Sequence, residues 1–196
     1  MKKNIFYGAV MAMLTLSAAA QTTKWGFDKA HSKVQFDIAH LVISEVTGQF
    51  NEYDGTVLSD KADFSDVVVD FSIDVKSIDT DNEKRDGHLR GEDFFDIAKY
   101  PEIIFKSKSV KKAGNNLYKF TGDLTMHGVT KEVTLDVQYN GTINDNWGNT
   151  KAGFKITGKI NRADFGLKYN SALEAGGLML GEEVTITCKL ELLKQK

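Results

Sequence analysis

Cysteine and proline are nearly absent from this chain, with one of each, Cys188 and Pro101, in 196 residues. A single thiol excludes an internal disulfide framework and any zinc or iron-sulfur centre built from several cysteines. Basic runs are equally scarce. No stretch of Lys and Arg exceeds two residues, and 25 Lys+Arg stand against 27 Asp+Glu, so nothing in the charge favours a nucleic-acid backbone. No apolar run reaches the ~20 residues that a spanning helix needs. Catalytic frames are missing too: no serine sits in a Gly-x-Ser-x-Gly turn, although Ser32 follows His31. Wholesale disorder is excluded in turn by a hydrophobic share of 41%, enough apolar surface to offset the ordering entropy of the chain.

What is present divides into two parts. Lys2 and Lys3, an apolar stretch from Ile5 to Leu16 and the small residues Ala18-Ala19-Ala20 follow the order of a secretory signal peptide over residues 1–20. The expected mature protein starts at or near Gln21, in the periplasm or outside the cell, without stable membrane insertion. No cysteine follows the apolar stretch, so anchoring through a lipidated N-terminal thiol is excluded. Residues 22–196 carry no internal repeat, linker or low-complexity tract and read as one domain.

From Trp25 onward the dominant period is two. Val34, Phe36 and Ile38 alternate with Lys33, Gln35 and Asp37, and Val67, Val69, Phe71, Ile73 and Val75 share one face. Tyr118, Phe120, Gly122, Leu124 and Met126 oppose Lys119, Thr121, Asp123 and Thr125. The same alternation runs through Val133 to Tyr139, Ala152 to Ile160 and Val184 to Leu192, with weaker runs at Val46 to Leu58 and Ile103 to Val110. One dry and one wet face per strand marks an antiparallel sheet, because doubly covered parallel strands are apolar throughout. The fold class is therefore all-β and antiparallel, with about eight strands. A two-sheet sandwich satisfies the pattern as well. Runs of about nine residues tilted by roughly 40° would build a wall ~23 Å tall, which favours a barrel. Periodicity leaves open whether its interior is packed core or a chamber.

Ala113-Gly114-Asn115-Asn116 and Asn144 to Asn149 predict hairpin connections. Asn140-Gly141-Thr142 matches a glycosylation sequon and also reads as a turn. Asp81 is the expected cap of a short helix from Asn82 through Arg90, stopped by Gly91, and Ser171 to Ala175 is a second helix candidate.

Particular residues then carry more than periodicity. Ser77-Ile78-Asp79-Thr80, Arg85-Asp86-Gly87-His88-Leu89, Asp93-Phe94-Phe95-Asp96 and Tyr100-Pro101 follow one another in an order that resembles the YceI family of secreted, lipocalin-like polyisoprenoid-binding proteins. Gly48-Gln49-Phe50, the run from Gly122 to Thr130, Arg162-Ala163-Asp164-Phe165-Gly166 and Gly181-Glu182-Glu183-Val184 fit the same pattern, so the resemblance spans essentially the whole chain after the leader. Gly91 departs from it, since the family usually carries Ser there. The resemblance implies an extended antiparallel β-barrel of about eight strands, lipocalin-like, with one or two short helices. It implies an apolar bore for a long isoprenoid, either a polyprenyl phosphate or a quinone tail, bound and not turned over. No cofactor is required on this reading, and an isoprenoid lipid is the expected partner.

Phe36, Ile38, Phe71, Ile73, Phe105, Phe120, Leu124, Leu135, Phe154 and Phe165 then become bore-lining residues, where by default a β-protein uses such side chains as packed core. Arg85 and His88, three apart on one helix face, are the head-group candidates. The plainer role for Arg85 is an ion pair with Asp86 or Asp93. The runner-up function is an enzyme or redox accessory that uses a bound isoprenoid quinone as cofactor. Oligomeric state is left open. His31, His40, His88 and His127 sit on different elements with no His-x-His or His-Glu-x-x-His spacing, and predict structural hydrogen bonding at the barrel ends in preference to a metal centre. Asp79, Asp81, Asn82 and Glu83 lack the twelve-residue calcium pattern and are accounted for by helix capping.

Overall fold

Pairing register decides between sandwich and barrel. The computed structural model describes residues 22–174 and 176–195, so the expected leader at 1–20 lies outside the described residues. Eleven strand segments pair antiparallel: β1 (Lys24–Phe27), β2 (Lys33–His40), β3 (Ser44–Phe50), β4 (Tyr53–Leu58), β5 (Val68–Asp74), β6 (Ile78–Asp79), β7 (Glu102–Gly114), β8 (Leu117–Met126), β9 (Val129–Asn144), β10 (Thr150–Asn161) and β11 (Leu180–Lys194). Several segments are halves of one bent strand. Trp25 pairs with Val57 and Val34 with Phe50, so β1 and β2 lie along β4 and β3 as one long hairpin, interrupted by the 3-10 turn Lys29–His31. Tyr53 pairs with Ile73 and Phe50 with Ile78, so β5 and β6 continue each other across the turn Val75–Ser77. The eleven segments thus fill eight positions of an up-and-down meander. β11 closes it, pairing with β10 on one side and with β2 and β1 on the other. Closure pairs the strand groups that an open sheet would leave at its edges.

The meander sorts its connections to two ends. At one end lie the β2–β3 and β8–β9 turns, the helix α1 (Glu83–Arg90) and the 162–179 connection. The β4–β5, β7–β8 and β9–β10 connections lie at the other. The alternation read from sequence is visible in β8, where Tyr118, Phe120, Gly122, Leu124 and Met126 are all buried. Gly122 is on the inner face because a Cβ there would come within 2.6 Å of the Phe105 ring. Gly48 makes the same room for Phe36.

Three local expectations are corrected. Asn82, not Asp81, caps α1: its side chain accepts the Arg85 N–H at 3.0 Å. Asp79 takes the Asp81 N–H at 3.0 Å and turns the chain, leaving Asp81 at φ 58°. The second helix candidate is not helical over 171–174, with Ala175 outside the described residues; Ala172 instead bridges Leu178 across the left-handed pair Gly176 and Gly177. Asn140-Gly141-Thr142 lies inside β9, where Gly141 at φ 114° and a register shift at Gly153/Phe154 mark a β-bulge.

Candidate functional site

The inward faces of the strands do not meet. They enclose a chamber of about 380 Å³ walled almost entirely by apolar atoms. Along β11 it is lined from Val184 through Ile186, Cys188 and Leu190 to Leu192. At ~3.3 Å per residue and a tilt of roughly 40° these eight steps give a depth of ~20 Å. That is somewhat more than the ~15 Å of one bilayer leaflet's hydrocarbon.

One end is sealed by the β4–β5 loop. Phe64, 2% exposed and at φ 56°, drops from this polar loop into the barrel. Its ring centroid lies 5.0 Å from that of Trp25, 5.3 Å from Tyr139 and 4.9 Å from Phe154. The Tyr118 hydroxyl donates to the Asp63 carbonyl at 2.6 Å and that of Tyr139 to the Ala62 carbonyl at 3.2 Å, so barrel strands hold the loop down from below. Asp66 fixes its other side by accepting from Ser59 Oγ at 2.6 Å and from the Asp60 N–H at 3.0 Å.

The other end is the mouth, roofed in part by α1. Asp86, 6% exposed, accepts from both the N–H and the hydroxyl of Thr80. Arg85 donates Nε to Thr80 Oγ1 at 2.7 Å and Nη2 to the Thr80 carbonyl at 2.6 Å, and Arg90 donates to the carbonyls of Lys76 and Ile78. Three side chains therefore bolt the helix to residues 76–80, in and beside β6. An ion pair of Arg85 with Asp86 or Asp93 is not what forms. Asp93 instead meets His88 Nε2 at 3.0 Å, and His88 stands edge-on to both Phe94 and Tyr169 at 5.0 Å between ring centroids. Across the mouth Arg162, 4% exposed, donates to the carbonyls of Gly181 and Leu167. Burial draws its guanidinium below the ordinary value.

Of the residues expected in the bore, Phe36, Ile38, Phe71, Ile73, Phe105, Phe120, Leu124, Leu135 and Phe154 face the chamber, and Arg85 and His88 lie at its rim. Phe165 does not face it. It sits in the 3-10 turn Arg162–Phe165, 2% exposed, where the turn breaks the strand's alternation and drives the ring into the packing beside Leu167. Sequence reasoning missed Phe64, whose only signal was one aromatic in an otherwise polar loop. It also missed Arg162, Tyr169 and Met179, which border the chamber from the 162–179 connection. Cys188 lines the wall, and burial pushes its thiol up to about 12.

The histidines do not converge. His40 borders the mouth, and His127 stacks edge-on to Tyr100 at 4.6 Å in the β8–β9 turn. His31 belongs to the one group of three ligand-type side chains among the described residues, Asp28, His31 and Glu191. The Lys151 ammonium already lies 3.0 Å from Asp28 and 2.7 Å from Glu191, so this group holds a cation of its own. Burial alone would raise the Asp28 carboxyl, but hydrogen bonds from His31 and Lys151 outweigh it and lower the value to about 2.

A closed antiparallel barrel with a plugged floor, a helix-roofed mouth and an apolar chamber between them defines a class of proteins built to enclose something apolar. Residues 25–192 match the YceI-like domain, and the chain belongs to that family. A UPF0312 protein of Staphylococcus aureus (strain MSSA476) is 42% identical over 170 residues, 86% of this chain and 96% of its own length. The crystal structure of a Campylobacter jejuni YCEI protein superposes with a TM-score of 0.69 at 33% identity, covering 95% of this chain and 100% of that one. A polyisoprenoid binding domain from Saccharophagus degradans, implicated in plant cell wall breakdown, superposes with a TM-score of 0.63 over 87% of this chain and 98% of that one. At 18% identity that likeness is one of fold.

Proposed function

We propose that the protein binds and carries a long-chain isoprenoid without chemically transforming it, in the periplasm or outside the cell after removal of residues 1–20. The continuous apolar chamber carries this reading. A long hydrocarbon is nearly insoluble in water, and each CH₂ buried contributes ~0.8 kcal/mol. A narrow lined bore removes such a chain from water along its whole length. The name of the Saccharophagus degradans domain agrees with an isoprenoid, and a mouth that places Arg85 and Arg162 beside the chamber suits a polar head. Holding is favoured over turnover because the polar side chains at the rim are engaged in fixing the roof. Arg85 is committed to Thr80, His88 faces Asp93, and Arg162 ties down two carbonyls.

Mass spectrometry of an organic extract of protein recovered from the exporting host tests the reading. An isoprenoid at close to one molecule per barrel is expected. An extract free of lipid, together with no thermal stabilisation of the protein by added polyprenol, overturns it. A redox-dependent absorbance change in the loaded protein would assign the ligand to the quinones and turn the carrier reading toward a cofactor role.

A further inference from the structure

Resting on the carrier reading, we infer that the mouth of the barrel docks on a lipid bilayer through the apolar tip Leu41-Val42-Ile43 and the adjoining Leu178 and Tyr169. The ligand then passes between membrane and chamber without crossing water. Val42 is 73% and Ile43 86% exposed at the β2–β3 turn, and Leu178 is 44% exposed beside them. The two segments form one surface. The Leu41 N–H donates to the Met179 carbonyl at 2.8 Å, and Val42 Cγ2 lies 3.5 Å from the place a Cβ on Gly177 would take.

Continuity with the chamber is what gives this patch a meaning. Tyr169 and Met179 border the chamber as well as the outer rim, and Leu180 follows inside. The apolar surface therefore runs from the wall of the bore to the solvent-facing tip. Backbone conformation points the same way. Leu41 and Val42 both adopt left-handed φ, 54° and 65°, a conformation uncommon for any residue but Gly or Asn and very rare for the β-branched Val42. A turn that keeps valine and isoleucine at an exposed, strained tip is held for what those side chains touch.

A bilayer fits this surface better than a protein does. Five side chains make too small a patch for a stable protein interface, while aliphatic tips and a tyrosine suit the boundary between headgroups and acyl chains. The exposed charges nearest in sequence, Glu45, Lys168, Glu174 and Glu182, are mostly acidic, so attachment rests on apolar insertion and not on anionic lipid. No helix among the described residues is long and apolar enough to cross a membrane, which leaves the contact shallow and reversible.

The test uses the mature protein, delipidated, with vesicles of phosphatidylethanolamine and phosphatidylglycerol carrying a fluorescent polyprenol. Flotation reads docking, the rate of polyprenol uptake from vesicles reads transfer, and equilibrium uptake from detergent solution reads the chamber alone. The double variant Val42→Asp with Ile43→Asp is expected to lose about tenfold or more in flotation and in transfer rate, with uptake from detergent unchanged and the melting temperature not lowered. Val42→Asn should weaken flotation while raising the melting temperature, because it relaxes the turn. Flotation of the unmutated protein should survive high salt. Equal transfer rates in the unmutated and doubly substituted proteins, with both taking up polyprenol, overturn docking and leave the carrier reading intact. Failure of the unmutated protein to take up polyprenol from detergent overturns the carrier reading, whatever flotation shows. A self-association abolished by the double variant would assign the patch to a second copy of the chain and overturn the bilayer.

Discussion

Replacing Phe64 by alanine separates a plugged floor from a decorated one. The ring is 2% exposed and stands against Trp25, Tyr139 and Phe154 at 4.9 to 5.3 Å between centroids, so its removal leaves a void that three rigid aromatics cannot collapse into. Such Phe→Ala changes cost about 3 to 5 kcal/mol. The left-handed φ of 56° brings no relief, since alanine bears the same strain there as phenylalanine. In a domain of this size each kcal/mol moves the melting temperature by roughly 2 to 4 °C, so a fall of about 10 °C is expected. Phe64 packs in the floor and does not face the chamber, so the delipidated protein should bear this loss in full, and the loaded protein at least as much. Lipid retention should fall as well, because the floor is then breached. Urea unfolding of both forms, with the lipid content of each measured afterwards, decides the matter. A cost below about 1 kcal/mol, or a loss confined to the loaded form, would refute the plug.

Phe154→Ala should behave differently, because Phe154 packs on Phe64 yet also faces the chamber: about 2 to 3 kcal/mol is expected in delipidated protein, with the rest appearing as a smaller gap between loaded and delipidated melting curves. Equal, large losses in both forms would show a solid interior at that level. Asp28 has a folded value of about 2 against 3.8, so its contribution is fully present above about pH 4 and fades as pH falls through 2. Discounted for screening that contribution is about 1 kcal/mol; Asp28→Asn should flatten the acid limb of stability measured by urea titration, and an unchanged limb rejects the assignment. Cys188, with its thiol near 12 and its side chain in the chamber wall, should react with iodoacetamide about a hundredfold or more slowly than an open thiol near pH 8, and at the ordinary rate once unfolded. Ready labelling of the folded protein would place it outside the wall.

The inner faces of the strands were legible in the sequence because alternation is a local property. Phe36, Phe71, Phe120 and Phe154 could be assigned to the inner face from their neighbours alone, and all four are there. Closure depends on which strands pair at a distance, and the bends at Lys29–His31 and Val75–Ser77 cut single strands into segments that periodicity counts separately. Phe165 was misplaced for a related reason: the alternation that holds to Ile160 stops at the 3-10 turn, and the apolar residue beyond it answers to another surface. Phe64 has no period at all, being one aromatic in the polar loop 59–67. The partners of Arg85 were illegible because it bonds a hydroxyl and a carbonyl of Thr80, and a carbonyl carries no mark in the sequence.

The chamber sets the energetics of the whole fold. At ~24 cal/mol per Å³, an unfilled volume of about 380 Å³ costs about 9 kcal/mol relative to a packed interior. That is comparable with the ~5 to 15 kcal/mol by which a domain exceeds its unfolded state. A barrel that stands without its ligand must therefore concentrate its packing elsewhere, and the buried side chains are distributed accordingly. The floor holds Trp25, Phe64, Tyr118 and Tyr139, and the mouth end holds Phe50, Phe94, Phe95, Phe165 and Leu167. Between them Phe71, Leu135, Ile156 and Ile186 are partly buried, with surface turned to the bore, beside their buried cross-strand neighbours Phe105, Phe120 and Cys188. The floor thus contributes stability alone, while the residues that line the chamber contribute to stability and affinity together. Truncating an apolar side chain in the floor should be read in the unfolding curve alone, and the same truncation in the chamber wall in both the unfolding and the binding curves. Those of these residues that lie on strands share one inner face, so alternation cannot distinguish them; what does is whether another side chain or a ligand fills the space opposite.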